Sequence, residues 1–191
     1  MALLQSWRPL GERAFRAPLP EGAEPAAVLA ALRAWPGFED AVVTDGWMAV
    51  YGGSTPPGEL LFGSARPERR LHTIEVRFDG ADLDEVARAS GLSSEELVVA
   101  CTARDYRVLF LGFLPGFGYL GELDPRIVAP RRATPRPRVA AGSLGLAGRY
   151  AGIYPSASPG GWNLVGSTSF TAWNGEHATL AAGDVVRLVA A

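Results

Sequence analysis

Lysine is absent. All 18 basic residues of the 191-residue chain are arginine. A Walker A loop needs its lysine on the β/γ-phosphates, and Schiff-base or lysine-base chemistry needs an amine, so this chain supplies neither. Biotin or lipoyl carriage on this chain is excluded for the same reason. Abundant Ala, Gly, Arg and Pro match a GC-rich coding sequence, the simplest origin of the missing lysine. Cysteine occurs once, at Cys101, which excludes an internal disulfide and a cysteine-rich zinc site. Histidine occurs only at 72 and 177, too few for a His-rich metal site. No apolar run approaches the roughly 20 residues that span a bilayer. The start, Met1-Ala2-Leu3-Leu4-Gln5-Ser6-Trp7-Arg8, has no basic n-region before a long apolar stretch, so a soluble cytoplasmic protein is expected. Net charge is −2, which gives no bulk attraction to nucleic acid or an anionic membrane.

What remains is 48% hydrophobic and 20% charged, enough for one or two small cored domains. The first part reads as α/β. Pro25 opens a helix at a position where its missing N–H costs nothing, and Val28, Leu29, Leu32 and Trp35 form its apolar stripe. Pro36-Gly37 stops it. Residues 41–44 and 47–51 flank Asp45-Gly46, a strong hairpin signal because a type I′ turn needs positive φ at both central residues. Gly52–Arg70, rich in Gly, Pro and Arg, reads as a loop or a weak element. Residues 72–78 alternate as a strand, with Ile74, Val76 and Phe78 on one face.

Two short helices come next. Asp82 and Glu85 have N-cap and N3 character, with Gly91 closing the first, and Ser93 with Glu96 forms a capping box for the second. From Tyr106 onward, short apolar runs are broken by Gly, Pro, Ser and Asn: 106–113, 126–129, 142–146, 152–154, 161–165, 169–173 and 185–189. Seven short strands without crossover helices predict a closed or nearly closed β-barrel. The fold class is therefore α+β, with an N-terminal α/β domain at 1–80 and a β-barrel at 81–191.

Several motifs bear on function. Gly116-Phe117-Gly118-Tyr119-Leu120-Gly121 matches G-x-G-x-x-G, but Pro125 and Pro130 prevent the long helix a dinucleotide site needs, so it reads as an aromatic turn. Ala141-Gly142-Ser143-Leu144-Gly145 approximates a nucleophile elbow, yet residues 146–152 would make a poor helix, so Ser143 reads as a small packing residue. Cys101 ends an apolar helical run and reads as a buried small hydrophobe, and His72 begins a strand without a visible partner. The sharpest feature is the set of five arginines at 126, 131, 132, 136 and 138, stiffened by Pro130, Pro135 and Pro137. Such a loop is either an anion site built on bidentate guanidinium contacts, or a solvated loop or salt-bridged subunit interface. Tyr154-Pro155-Ser156-Ala157-Ser158-Pro159-Gly160-Gly161-Trp162 is either a pocket-lining loop with an aromatic at each end or an elaborate strand connection.

Taken in order, Tyr106-Arg107-Val108, Gly112-Phe113-Leu114-Pro115-Gly116-Phe117-Gly118-Tyr119-Leu120, Leu123-Asp124-Pro125-Arg126, Pro130-Arg131-Arg132-Ala133-Thr134-Pro135-Arg136, Ala141-Gly142-Ser143, Gly152-Ile153-Tyr154-Pro155 and Ser158-Pro159-Gly160-Gly161-Trp162 resemble the signature of the allophanate hydrolase subunit 1 family. This is also called the carboxyltransferase domain C and D family. The resemblance covers about residues 82–189. The chain departs from the family pattern at Cys101, where a histidine is common, and at Phe78-Asp79-Gly80, where a Tyr-Gly-Gly segment is common.

The resemblance implies a cyclophilin-like C-terminal barrel. It implies an obligate partner, the C subunit (allophanate hydrolase subunit 2, KipA-like), and a LamB/YcsF-type subunit, which together open 5-oxoproline to glutamate with ATP as co-substrate. The chain would then be one subunit of an ATP-dependent lactam hydrolase and inactive alone. Other members imply a KipI-like histidine-kinase inhibitor or half of a biotin-dependent carboxyltransferase of the urea/allophanate type. Candidate anion-binding residues are Arg131, Arg132, Arg136 and Arg138. Candidate pocket residues are Phe113, Pro115, Phe117, Tyr119, Tyr154, Ser158, Gly160 and Trp162. No residue is assigned to catalysis, no metal site is expected, and the location of the ATP site is left open.

Overall fold

The structure, a computed structural model, describes residues 6–44, 46–58 and 69–191. The chain divides after Arg69 into two compact units.

In the first unit, strands β1 (Arg8–Pro9), β2 (Ala14–Pro18), β3 (Asp40–Val43) and β4 (Trp47–Tyr51) form an antiparallel sheet in the order β1-β2-β4-β3. Helix α1 (Pro25–Arg33) begins at the expected proline and turns Val28 and Leu32 onto Phe15, Ala41, Met48 and Val50. The hairpin is present, with Val43 opposite Met48, the Thr44 N–H donating to the Trp47 carbonyl at 2.8 Å, and Gly46 at φ +83°. Asp45, the first five residues and most of the 52–70 loop lie outside the described residues.

The second unit contains β5 (Leu71–Val76), α2 (Leu83–Ala89), α3 (Ser94–Thr102), β6 (Asp105–Leu111), β7 (Gly118–Gly121), β8 (Arg136–Val139), β9 (Ser143–Ala147), β10 (Tyr150–Ile153), β11 (Ser158–Gly160), β12 (Asn163–Ser167) and β13 (Val185–Ala190). Seven strands form one curled sheet, β12-β9-β10-β7-β6-β13-β5, and β8 pairs with β11 in a separate ribbon. β5 thus belongs to this unit. It runs parallel to β13, with Leu71 opposite Val185 and Val76 opposite Ala190. The sequence seam at residue 80 falls too late, because a lone alternating strand followed by helices carries no mark of a partner more than a hundred residues away.

The sheet's two edge strands meet at a single rung. Arg77 N–H donates to the Ser167 carbonyl at 2.9 Å, and Ser167 N–H returns to the Arg77 carbonyl at 2.8 Å. The barrel is therefore nearly closed. Glycine makes the approach possible. A Cβ on Gly166 would lie 2.6 Å from the Arg77 carbonyl oxygen, and one on Gly80 would strike the Leu164–Gly166 backbone.

Helices α2 and α3 cover the sheet. They bury Val86, Ala87, Leu97, Ala100 and Cys101 against Ile74, Val76, Tyr106 and Leu188. The Ser93–Glu96 capping box forms as read, with Glu96 N–H donating to Ser93 Oγ and Ser93 N–H to Glu96 Oε2.

Two expected strands do not form. At 126–129 the chain turns back, because Asp124 accepts from both the backbone N–H and the guanidinium of Arg126. At 169–173 Thr168 Oγ1 accepts from Phe170 N–H, and only an isolated Trp173–Ala178 bridge remains. Side-chain acceptors here outcompete strand pairing. Glycine- and proline-rich β7, β8 and β11 form strands that apolar runs do not mark. Replacing Gly166 with Ala is expected to cost about 1–3 kcal/mol through backbone overlap, read as a lower urea midpoint at unchanged m-value.

Candidate functional site

The β6–β7 turn and the loop ending at Trp162 place aromatic side chains together. Phe117 is fully buried, and its ring meets Tyr154 and Trp162 edge-on, with centroids 5.4 and 5.2 Å apart. Above it Phe113 is 58% exposed and also contacts Phe117 and Tyr154 edge-on. Phe113 sits at φ +72°, an unusual conformation for a non-glycine residue, which turns its ring toward this cluster rather than into the core. Two glycines let the rings approach. A Cβ on Gly152 would lie 2.6 Å from Phe117 Cζ, and one on Gly160 would overlap the Tyr154 hydroxyl.

These walls enclose a cavity of about 60 Å³ lined by Phe113, Tyr119, Arg131, Tyr154, Gly160, Gly161 and Trp162. Arg131 is its one cationic wall, with the guanidinium carbon 6.0 Å from the Trp162 ring centroid. Burial raises the Tyr154 pKa, so its phenol stays neutral and able to donate at physiological pH. At about 60 Å³ the cavity takes a group of a few atoms, and its aromatic walls, guanidinium and phenol suit a carboxylate or a comparable small anion.

The other arginines are placed differently. Asp82 has a side chain only 3% exposed, and its Oδ1 accepts from Arg132 Nη1 at 2.9 Å and Arg136 Nη2 at 2.7 Å. Its Oδ2 accepts from Leu164 N–H at 2.7 Å. Asp82 thus stands at the N-cap position of α2 without capping it. Burial alone would raise its pKa. Hydrogen bonds from Arg136 and Leu164, with the charges of Arg136 and Arg132, outweigh burial and hold the carboxyl below its ordinary value. Arg132 and Arg136 are therefore committed to an internal carboxylate. Arg138 lies exposed on β8, and Arg126 is paired with Asp124.

Of the sequence-named residues, the structure brings Phe113, Tyr119, Arg131, Tyr154, Gly160 and Trp162 to one cavity. Phe117 supports it from below, while Pro115 and Ser158 are outside its lining. Gly161 also lines it, a residue that the sequence does not single out. The sequence marks Asp82 only as a cap, since its partners lie 50 and 54 residues onward and leave no local signal.

Cys101 is fully buried, and burial pushes its thiol up to about 12, which leaves it un-ionised and inert. Ser143 opens β9 rather than a helix, so no nucleophile elbow forms. His72 Nε2 lies 2.9 Å from Asp184 Oδ2, a partly buried pair that joins β5 to the turn before β13. Among the described residues, no three His, Cys, Asp or Glu side chains cluster as a metal site would require.

A family model, the carboxyltransferase domain, subdomain C and D, matches residues 60–182. The 5-oxoprolinase B subunit of Bacillus subtilis (strain 168) is 43% identical over 127 residues, 63% of this chain and 53% of that protein. The protein of the same name from Escherichia coli O157:H7 is 46% identical over 129 residues, 64% of this chain and 59% of that protein. The chain thus spans a little over half the length of these curated relatives.

Among solved structures, TTHA0988 superposes with a TM-score of 0.80 at 37% identity, covering 94% of this chain and 40% of that one. The conserved uncharacterized protein PH0987 from Pyrococcus horikoshii gives 0.61 at 29%, covering 97% of both chains. The Kluyveromyces lactis urea carboxylase gives 0.74 at 18% over 98% of this chain and 22% of that one, a likeness of fold alone.

Replacing Asp82 with Asn keeps the shape and removes the charge between two guanidiniums. It is expected to destabilise the second unit by about 3 kcal/mol, the low end for a broken buried pair because both arginines keep partial exposure. Since the folded-state pKa is depressed, Asp82 contributes fully above the unfolded value near 4 and loses that contribution as pH falls through the folded one. Wild-type and Asp82→Asn stabilities from denaturant titration should therefore converge as pH falls from 6 toward 3.

Proposed function

The chain belongs to the family of the carboxyltransferase domain, subdomain C and D, and from that premise we propose that it is a B subunit of the 5-oxoprolinase type. In this reading it acts only with a C subunit protein and a LamB/YcsF-type subunit, opening 5-oxoproline to glutamate with ATP as co-substrate. The observation that carries the reading beyond the kinship is the cavity itself: aromatic walls, one guanidinium and one neutral phenol lining the same space.

The chemistry fits. The substrate is a small five-membered lactam with one carboxylate. The carboxylate matches Arg131 as a bidentate partner within the cavity, and the ring would rest at its mouth against the exposed Phe113. A lactam is a resonance-stabilised amide, so ring opening needs its carbonyl oxygen activated, and phosphorylation by ATP supplies that activation. Arg131 is the one guanidinium that lines this cavity. Much of the charge stabilisation for phosphoryl transfer would then fall to the partner subunits. The role of Arg131 in this reading is to bind and orient the substrate carboxylate, and that of Tyr154 is to donate a hydrogen bond to it.

The test is coexpression with the two partner subunits and measurement of ATP-dependent glutamate release from 5-oxoproline. Arg131→Ala should lower kcat/KM roughly 10- to 100-fold, as expected for one lost charge-assisted bond, while the complex still assembles on a sizing column. Arg136→Ala should instead lower thermal stability. Undiminished turnover in the Arg131 variant, or no ATP-dependent glutamate from the assembled wild-type complex, sinks this reading.

A further inference from the structure

The nearly closed barrel leaves one length of sheet edge open. β5 forms the sheet's edge, pairing with β13 on one side only. In that ladder the even-numbered residues face β13: Arg70 C=O accepts from Val185 N–H, and Val76 C=O accepts from Ala191 N–H. The odd-numbered residues face the other way. Arg77 uses both its backbone groups on Ser167. After that rung the two strands part, because Thr168 N–H turns to the Gly142 carbonyl at 2.9 Å and Phe170 N–H to Thr168 Oγ1. Among the described residues, no strand lies against the outward N–H and C=O groups of Leu71, Thr73 and Glu75.

A groove runs along this edge. Its two adjoining parts have volumes of about 400 and 420 Å³, with Thr73, Glu75 and Arg77 on one wall and Thr168, Ser169 and Phe170 on the other. The phenyl ring of Phe170 covers the core beneath, against His72. Four hydroxyls, those of Thr73, Ser167, Thr168 and Ser169, and a charge of each sign line the walls. The lining is mixed, since Ile74, Phe170 and Val189 also contribute, and the backbone groups at the edge are laid out at strand spacing.

We propose that this groove receives an extended segment of a partner polypeptide, which pairs with β5 antiparallel in line with the Arg77–Ser167 rung and completes the barrel. The edge dictates the occupant. N–H and C=O groups alternating at the repeat of every second residue are matched by another strand and by little else. From Thr73 to Arg77 the edge extends about 13 Å, room for four or five residues. Pairing with the β5 of a second copy does not fit, since each β5 edge faces a wall of residues 168–170 and two such edges cannot meet. The hydroxyl and charged lining also explains why the edge can stay open in water without pairing with like edges.

The identity of the partner as another subunit rests on the multi-subunit reading above; the groove's chemistry does not. Amide exchange followed by NMR separates the two. In the free chain, the amides of Ile74 and Val76 should exchange slowly and those of Thr73 and Glu75 at least 10-fold faster. With the C subunit bound, Thr73 and Glu75 should slow by at least 10-fold while Ile74 and Val76 stay unchanged. Thr73→Pro removes only an outward N–H, a substitution an edge strand tolerates. Ser169→Trp fills the groove from the opposite wall and leaves the sequence of β5 unchanged. Both should retain the free chain's exchange pattern at Ile74 and Val76 and abolish the protection at Glu75, the outward amide that both variants keep.

If a complex forms and Thr73 and Glu75 remain fast, the groove proposal falls and the subunit reading stands. If no complex forms, a capped hexapeptide of alternating threonine and valine at millimolar concentration is the second probe. Protection of Thr73 and Glu75 by it upholds the groove while the subunit reading fails, and no protection overturns the groove as well.

Discussion

The second unit depends on one buried carboxylate. Asp82 stands where the chain leaves β5 and enters α2, and its two oxygens reach the Arg132–Arg136 loop and the backbone of β12. One side chain therefore fixes a helix start, a proline-stiffened loop and a strand relative to each other. Alternative arrangements would strand a charge. Removing the loop from Asp82 leaves a carboxylate in a nearly dry pocket, and removing Asp82 leaves two guanidiniums facing each other. Such a network contributes modest net stability but penalises every misplacement.

That anchoring has a consequence for the cavity. Arg131 precedes Arg132 by one residue, so the pin on Arg132 limits where the Arg131 backbone can go. The Arg132 N–H also donates to the Gly161 carbonyl, next to Trp162, which brings the arginine loop and the aromatic loop into register. The cation over Trp162 is thus positioned from two sides by bonds it does not itself make. A residue with long, flexible torsions gains orientation cheaply this way, because the neighbouring backbone is already ordered.

How much of this is legible in the sequence depends on range. Local signals are reliable: Pro25 opens α1, Ser93 and Glu96 cap α3, and the 47–51 hairpin strand pairs in register. The aromatic residues of the cavity are visible as a group because they occupy glycine-rich segments whose composition suits little else. Signals requiring distant partners are not legible. The parallel pairing of β5 with β13 joins residues more than a hundred positions apart, so a domain boundary drawn from texture misses it. Asp82 fits an N-cap pattern by residue type alone, and nothing nearby reveals the arginines that claim it. Five arginines in one loop look interchangeable. Only the fold separates the two that bind Asp82 from the one that faces the cavity.

The separation also reinterprets the missing lysine. A lysine at 132 or 136 would place a point charge where the structure uses planar guanidiniums, each sharing Oδ1 of one carboxylate from a different direction. Each gives a single hydrogen bond to that oxygen, while Arg132 Nε and Arg136 Nη1 stay buried without a partner. At 131 the requirement differs. There the guanidinium lies near an indole face, an arrangement in which a delocalised, weakly hydrated cation loses less on partial desolvation than an ammonium would. Three neighbouring arginines thus answer two distinct physical demands. The loop keeps the fold together through Arg132 and Arg136, which leaves Arg131 able to meet a ligand without unfastening the site that holds it.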